Sequence, residues 1–290
     1  MNFLQLIISG ISVGTLYALF GIGVVLLYRV SNVVNFSHSQ FGIVALYVTY
    51  LAVDHWNIPV ILSLIIGILV SLALGMFTER FIIRGLPDEP HLVKVIVTLG
   101  CFMVLTGLTG YFMGYETREF SMRVRDGGVL LGDAYWSYNA MVSLVVTFIL
   151  IVGVALLLKY TKIGIAMRAV AHNAQNARLM GIPANTVLGV TWGISALFAL
   201  VIGIFAVPTT ALRPEVLDAI FFNSFAAIIL GGFGSIIGSA IGGIIFGIIE
   251  SVFMGYFSAE YKQILVFFII LILLWFKPNG LFGKPEVKKV

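Results

Sequence analysis

The sequence predicts an all-α, polytopic integral membrane protein with about eight to nine transmembrane or interrupted helices. Composition points there first: 60% of residues are hydrophobic, only 10% are charged, and the mean hydropathy is +1.08, against roughly 25% charged in a soluble domain. Second, the apolar runs reach the roughly 17–25 residues a helix needs to cross the hydrocarbon core. Third, those runs lack the period-two alternation of barrel strands.

The elements follow in order. Apolar segments cover residues 4–28, 39–53, 58–83, 92–113, 138–158, 187–207, 219–233, 236–256 and 262–276. The opening MNFLQLIISGISVGTLYALFGIGVVLLY has no basic n-region and no small-residue cleavage pattern, so it is expected to be a first span and not a removable signal. The gaps between runs are too short for a soluble domain, and one integral membrane domain is the expectation. Between the fourth and fifth runs, residues 115–138 mix Glu116, Arg118, Glu119, Arg123, Arg125, Asp126 and Asp133 around Gly127-Gly128, predicting the largest external loop.

The segment 159–185, KYTKIGIAMRAVAHNAQNARLMGIPAN, is the one long polar stretch that favours helix. It carries Lys159, Lys162, Arg168 and Arg178 and no acid. Placing it in the cytoplasm puts Arg29, Arg80, Arg84, Lys94, Lys159, Lys162, Arg168, Arg178, Lys277, Lys284, Lys288 and Lys289 on one side, 12 of the 17 basic residues. Arg118, Arg123, Arg125, Arg213 and Lys262 fall on the other. That bias satisfies the positive-inside rule, with the N-terminus outside and the C-terminus inside. Gly164 and Gly181-Ile182-Pro183 bound a short helix, MRAVAHNAQNARLM, projecting Arg168, His172, Asn173 and Arg178. Such a helix either lies on anionic head groups or sits in the groove of a cytoplasmic partner, and its defined length favours the groove.

Two segments are short and polar for spans: SNVVNFSHSQFG (31–42) and IFFNSFAAIILGGFGS (220–235). Interrupted segments in corresponding positions mark a transport pathway, because irregular backbone at membrane depth survives only where protein or a wet cavity covers it. Asn35, Ser37, His38, Ser39 and Gln40 form an uncharged hydrogen-bonding cluster that either caps the following helix or receives the two ends of a zwitterion. Asn223 and Ser224 repeat the Asn-near-Ser pattern. Glu250 is an acid within an apolar run, either facing a cavity or meeting water near a helix end. GxxxG spacings at Gly10/Gly14, Gly234/Gly238, Gly238/Gly242 and Gly243/Gly247 predict close helix packing, within the chain or at a subunit seam.

Enzyme chemistry is not indicated. GxxxxGK(S/T), HExxH and GxSxG are missing, and GGFGSIIG lacks the GxGxxG spacing. The four histidines, His38, His55, His91 and His172, are scattered and Cys101 is alone, so no metal set, cofactor site or catalytic residue is expected. A pI near 9.2 follows from topology and does not call for nucleic acid.

The residues resemble a known family. TKIGIAMRAVAHNAQNARLMGIPANTV is similar to the coupling region of ABC importer permeases of the branched-chain amino acid type, with its G-x-A-x-R-A-x-x-x-N/D and A-x-x-x-G-I pattern. YALFGIG and VNFSHS resemble the family's YAL-x-A-x-G and INFAHG, with Ser37 for Ala and Ser39 for Gly. ERFIIRGL and VIVTLGCFM resemble ER-x-x-x-RPL and the TIG stretch. AAIILGGFGSIIGSA, SAEYK and FKPNGLFGKPEV resemble AAVLGG-x-GS-x-x-GA, S-x-Y-K and RP-x-G-x-x-G-x-PEV, the tail being of the LivH type and not the LivM type.

This resemblance implies a single permease domain over residues 1–290 with a coupling loop at about 159–186. The implied subunit works in a bacterial inner membrane beside a second, LivM-like permease, two cytoplasmic ATP-binding subunits and an extracytoplasmic solute-binding protein. The implied solute is a branched-chain or related hydrophobic amino acid; urea, short amides and aromatic acids are the family's other solutes, and an ATP-independent channel or carrier is the reading outside it. Gly164, Arg168, Ala169, His172, Asn173, Ala177, Arg178, Gly181 and Ile182 become coupling residues. Tyr17, Asn35, Ser37, His38, Gln40, Asn223, Ser224 and Glu250 become pathway candidates.

Overall fold

A computed structural model of the chain describes residues 2–86, 90–120, 127–277 and 280–283. Arg123, Arg125 and Asp126 of the external loop, and the tail with Lys284, Lys288, Lys289 and the PEV residues, lie outside the described residues. Each apolar run is a helix: α1 (Phe3–Ser31), α2 (His38–Asp54), α3 (Val60–Phe81), α4 (His91–Met113), α5 (Tyr138–Tyr160), α8 (Ala184–Thr210), α9 (Asp218–Gly231), α10 (Ile236–Tyr256) and α11 (Lys262–Phe276). The polar loop supplies α6 (Lys162–His172) and α7 (Ala174–Leu179). Among the described residues six helices, α1, α3, α4, α5, α8 and α10, are long and apolar enough to cross a membrane. The chain is an all-α multi-pass membrane protein.

The helices α2, α9 and α11 have 17, 14 and 15 residues. At 1.5 Å per residue they reach about 21–26 Å, short of a hydrocarbon core about 30 Å thick.

The chain forms two compact units. The first comprises Met1–Val25, Arg123–Ile151 and Ile220–Val290. Its core is the crossing of α1 with α10, where the GxxxG reading is realised inside the chain: Gly10 faces the backbone of Gly247 and Ile248, and Gly14 that of Gly243 and Ile244. A Cβ at any of the four would enter the other helix's backbone, the geometry small residues permit in lipid. Gly238 and Gly242 face α9 in the same way, whereas Gly234 lies in the turn before α10 with open space around it, so Gly234/Gly238 is no packing pair.

This unit also holds an element the all-α expectation omits. Strands β1 (Gly128–Leu131) and β2 (Ala134–Ser137) pair antiparallel, Leu131 opposite Ala134, around Gly132-Asp133. Gly132 has φ +65, as two-residue hairpin turns require. Gln5 on α1 pairs with the Tyr135 backbone in both directions, donating to its carbonyl at 3.2 Å and accepting from its amide at 2.7 Å.

The second unit comprises Leu26–Met122 and Val152–Ala219. Helices α2, α3 and α8 pack together: Gly42 lies against Ala199, and Gly75 against the backbone of Trp192 and Gly193. Leu27, Val33, Phe41, Ile83, Trp192 and Ala196 form a buried cluster, and α6 and α7 add another of Val30, Met167, Val170, Ala177, Ala184 and Val187.

The predicted interruptions are corrected in position. The first break falls at residues 32–37 as expected, beginning at Asn32 with φ +54, a conformation asparagine tolerates better than most residues. The second precedes α9 and does not lie within 220–235. Helix α8 stops at Ala211, φ +61, and residues 211–217 are non-helical before α9 begins at Asp218. Asn223 and Ser224 are helical, and Ser224 Oγ donates to the Phe221 carbonyl at 2.6 Å, so its polarity is satisfied locally. The 232–235 stretch is only a turn, and Ser235 caps α10 by accepting from the Gly238 amide at 2.9 Å.

Candidate functional site

The loop between α5 and α8 is two helices where the sequence predicts one. Helix α6 starts at Lys162, five residues before the expected Met167, because Thr161 caps it: Thr161 Oγ1 accepts from the Gly164 amide at 3.0 Å and donates to the Leu157 carbonyl at 2.6 Å. Gly164 is therefore not a boundary. It lies in the first turn of α6, so close to Leu157 and Leu158 that no side chain fits. Asn173 breaks the expected helix; it is the C-cap of α6 and the N-cap of α7, its Oδ1 accepting from the Asn176 amide at 2.9 Å. Gly181, at φ +80, ends α7 as the sequence predicts.

Three-residue spacing turns Gly164, Met167 and Val170 inward, with Ala177 buried and Ala169 and Ile182 half-buried. Arg168, His172, Asn173, Arg178 and Gly181 face outward beside Leu179 and Met180, two large apolar side chains with more than four-fifths of their surface free. The nine predicted coupling positions thus divide into an anchoring set and a presented set. Leu179 and Met180 were missed because, in a polar segment, they read as helix filling.

The pathway candidates fall into two groups, one in each unit. In the first unit Glu250 is fully buried. Tyr17 OH donates to Glu250 Oε2 at 2.7 Å, Asn223 Nδ2 donates to Tyr17 OH at 3.2 Å, and the Lys262 ammonium pairs with Glu250 Oε1 at 2.5 Å. The ion pair joins α10 to the first residue of α11 while Tyr17 ties in α1. The sequence leaves open whether Glu250 meets water; it meets Lys262, one of the basic residues that the charge bias places on the external side.

In the second unit the cluster at the start of α2 is almost wholly buried. Asn35 Oδ1 accepts from the Ser37 amide at 3.0 Å and from Ser37 Oγ at 2.7 Å, closing a tight local turn. Ser37 itself makes no side-chain cap to α2, so the capping expectation fails in its simple form. His38 Nδ1 and Ser195 Oγ are 3.1 Å apart. Ser195 is eleven residues into α8, roughly 17 Å from its start.

Residues 32–37 run beside α4, with Asn32 Nδ2 at 3.3 Å from His91 Nε2 and the Phe36 amide donating to Thr98 Oγ1 at 3.2 Å. Helix α2 therefore begins part-way along α8. The second break returns to the same level from the other end of α8: Gln40 Nε2 donates to the Pro214 carbonyl at 3.3 Å and to Asp218 Oδ1 at 3.1 Å, and Ser39 Oγ donates to Asp218 Oδ1 at 2.9 Å. Two interrupted helices thus meet at Ser39, Gln40 and Asp218. Asn35 Nδ2 and Gln40 Oε1, both buried, have no partner among the described residues.

Residues 6–274 match the family described as branched-chain amino acid transport system / permease component. The chain belongs to that family. This permease is 27% identical to the high-affinity branched-chain amino acid transport system permease protein BraD of Pseudomonas aeruginosa, over 100% of its own length and 98% of the relative's. It is 28% identical to the LivH protein of Escherichia coli K12, with the same coverage of both chains. A probable LivH of Methanocaldococcus jannaschii is 29% identical over 96% of the permease and 92% of the relative.

Asp218, Ser195 and Lys262 are the permease's polar partners that sequence reasoning missed. Each carried a weak signal: Asp218 opens an apolar run, Ser195 interrupts one, and Lys262 follows SAEY at the start of one. Asp218, an acid in the first turn of α9, also favours that helix electrostatically.

Proposed function

We propose that this permease is the membrane-spanning subunit of an ATP-driven ABC importer for branched-chain or related hydrophobic amino acids, working in the bacterial inner membrane with its C-terminus in the cytoplasm. The observation that carries the reading is the α6–α7 element. A face of Gly164, Met167, Val170 and Ala177 anchors it to the unit, and Arg168, His172, Asn173, Arg178, Leu179 and Met180 are presented outward. Two short, capped helices of fixed position suit a partner's groove, and the partner is a cytoplasmic ATP-binding subunit. Two such subunits, a second LivM-like permease and an extracytoplasmic binding protein complete the assembly, and residues 1–290 act as one permease domain. ATP-driven closure displaces α6 and α7, and the permease alternates its access in response.

The solute assignment rests on the printed names of the relatives. The neutral cluster at Asn35, Ser37, His38 and Gln40, with Asp218, is suited to the charged ends of a zwitterion, and Tyr17, Asn223, Ser224 and Glu250 hold the first unit's share of the route in shape. The test is co-purification with the ATP-binding subunits after Leu179→Asp and Arg168→Glu replacement. Loss of the complex and of ligand-stimulated hydrolysis is expected; wild-type assembly and stimulation would overturn the docking role. Uptake by the permease alone in liposomes, without ATP, would overturn the ATP-driven class.

A further inference from the structure

Glu79 is the buried acid to which the importer reading gives no task. It lies near the C-terminal end of α3 with 2% of its surface exposed, where a carboxylate needs a partner. The partner is Arg84, in the 3-10 turn Ile83–Gly85 that follows α3: its Nε donates to Glu79 Oε1 at 3.2 Å and its Nη2 to Oε2 at 2.5 Å. The same Nη2 donates to the Asn185 carbonyl at 3.2 Å, in the first turn of α8. Asn185 Oδ1 in turn accepts from Arg178 Nη2 at 3.1 Å, near the end of α7. Gly189 is one turn further along α8, and Glu79 Oε2 lies 3.3 Å from where a Cβ on it would stand, so the carboxylate packs directly on that helix.

These contacts lie within one unit and run from α7 through α8 and the 3-10 turn to α3. The chain between α7 and α8 is itself fastened at Gly181, φ +80, whose amide returns to the Arg178 carbonyl while the Ile182 amide returns to that of Ala177. That connection reaches only α8, and the contacts of Arg84 with Asn185 and Glu79 extend it to the end of α3. A guanidinium suits the bracing role because its planar fork holds several acceptors at fixed angles, which an ammonium on a flexible stem does not.

We propose that Glu79, Arg84 and Asn185 form a brace that makes α7, the start of α8 and the end of α3 move as one body, so that displacement of the coupling helices is delivered to the spans. The proposal rests on the coupling role of α6 and α7. The three are positioning residues and touch neither solute nor nucleotide.

The test uses the assembled transporter in liposomes, with ATP hydrolysis and solute uptake measured on the same preparation. Arg84→Lys keeps the charge and loses the fork; Asn185→Ala removes the acceptor for Arg178 and keeps the carbonyl for Arg84. Both are expected to assemble and to hydrolyse ATP as the unaltered transporter does, while the solute moved per ATP falls about tenfold. The paired replacement Glu79→Leu with Arg84→Met leaves no orphaned charge and is expected to give the same uncoupling with a normal yield of folded protein. An unchanged ratio in Arg84→Lys and Asn185→Ala overturns the brace, as does a fall in hydrolysis and uptake together with the ratio preserved. Leu179→Asp separates the two readings: an intact complex there overturns the coupling role itself, whereas its loss beside a normally coupled Arg84→Lys overturns the brace alone.

Discussion

Around Glu250 each charge is answered. Lys262 neutralises the carboxylate, Tyr17 donates to its second oxygen, and Asn223 donates to Tyr17. Around Gln40 the accounts are open: Asn35 Nδ2 and Gln40 Oε1 have no partner, and Asp218 has no cation within ion-pair distance among the described residues. Both clusters include helices of sub-membrane length, yet one joins four helices, α1, α9, α10 and α11, and the other joins the starts of two interrupted ones. A charge-paired network resists change because each displacement orphans a buried charge, while one with unpaired neutral groups has hydrogen-bonding capacity to spare. The first cluster is a fastening, and the second is the one we propose receives polar solute.

Breaking the fastening gives the largest effect. Glu250→Ala leaves the buried Tyr17 hydroxyl and the half-buried Lys262 without their partner and is expected to cost about 2–3 kcal/mol, read as a fall in the thermal unfolding midpoint in detergent. Glu250→Leu with Lys262→Met is expected to recover most of that loss; no recovery would mean the pair is not what fastens α11 to α10.

The open cluster predicts the reverse pattern, with function lost and stability largely kept. Asp218→Asn preserves a good acceptor at the start of α9 and removes the charge, so folding loses only about 0.3–1 kcal/mol and uptake of a zwitterionic solute falls at least about tenfold, the equivalent of roughly 1.4 kcal/mol. Equal uptake by the Asn variant would sink the contrast between the clusters. Smaller still are the caps, one in each unit. Ser235→Ala and Thr161→Ala each remove a cap and are expected to cost about 1 kcal/mol in unfolding experiments. His172→Ala, on an exposed face, is expected to stay within about 0.5 kcal/mol of the parent and to reveal itself only in association with the ATP-binding subunits.

The helices were legible because a bilayer demands long apolar runs, and each predicted run became one. The breaks were harder, since side-chain polarity and backbone irregularity are different things. Asn223 and Ser224 looked like an interruption yet are helical, one bonded to Tyr17 and the other to its own helix. The true interruption, LRPEVL before Asp218, reads as an ordinary surface connection, because arginine, proline and glutamate are what such connections carry. Its inward course is held by Gln40 donating to the Pro214 carbonyl, a contact 174 positions apart that no local pattern encodes. In the polar loop the family pattern singles out Gly164, Ala169 and Ala177 but not that they face inward, and Gly164 reads as a helix boundary when it lies inside α6, while Asn173, read as a displayed residue, also ends one helix and starts the next.

The crossing of α1 and α10 also bears on how this sequence is free to vary. At Gly10, Gly14, Gly243 and Gly247 the opposing atoms are chiefly backbone, so a neighbour cannot be trimmed to make room for a side chain. Compensation between partners, the usual route by which a packed contact drifts, is closed at those four positions. The exposed apolar residues of α3, α4 and α5 face no backbone of this chain and are under no such restraint. Substitutions should therefore accumulate on those exposed faces while these glycines stay fixed, and an alignment of descendants would show the crossing as four invariant columns in two variable helices.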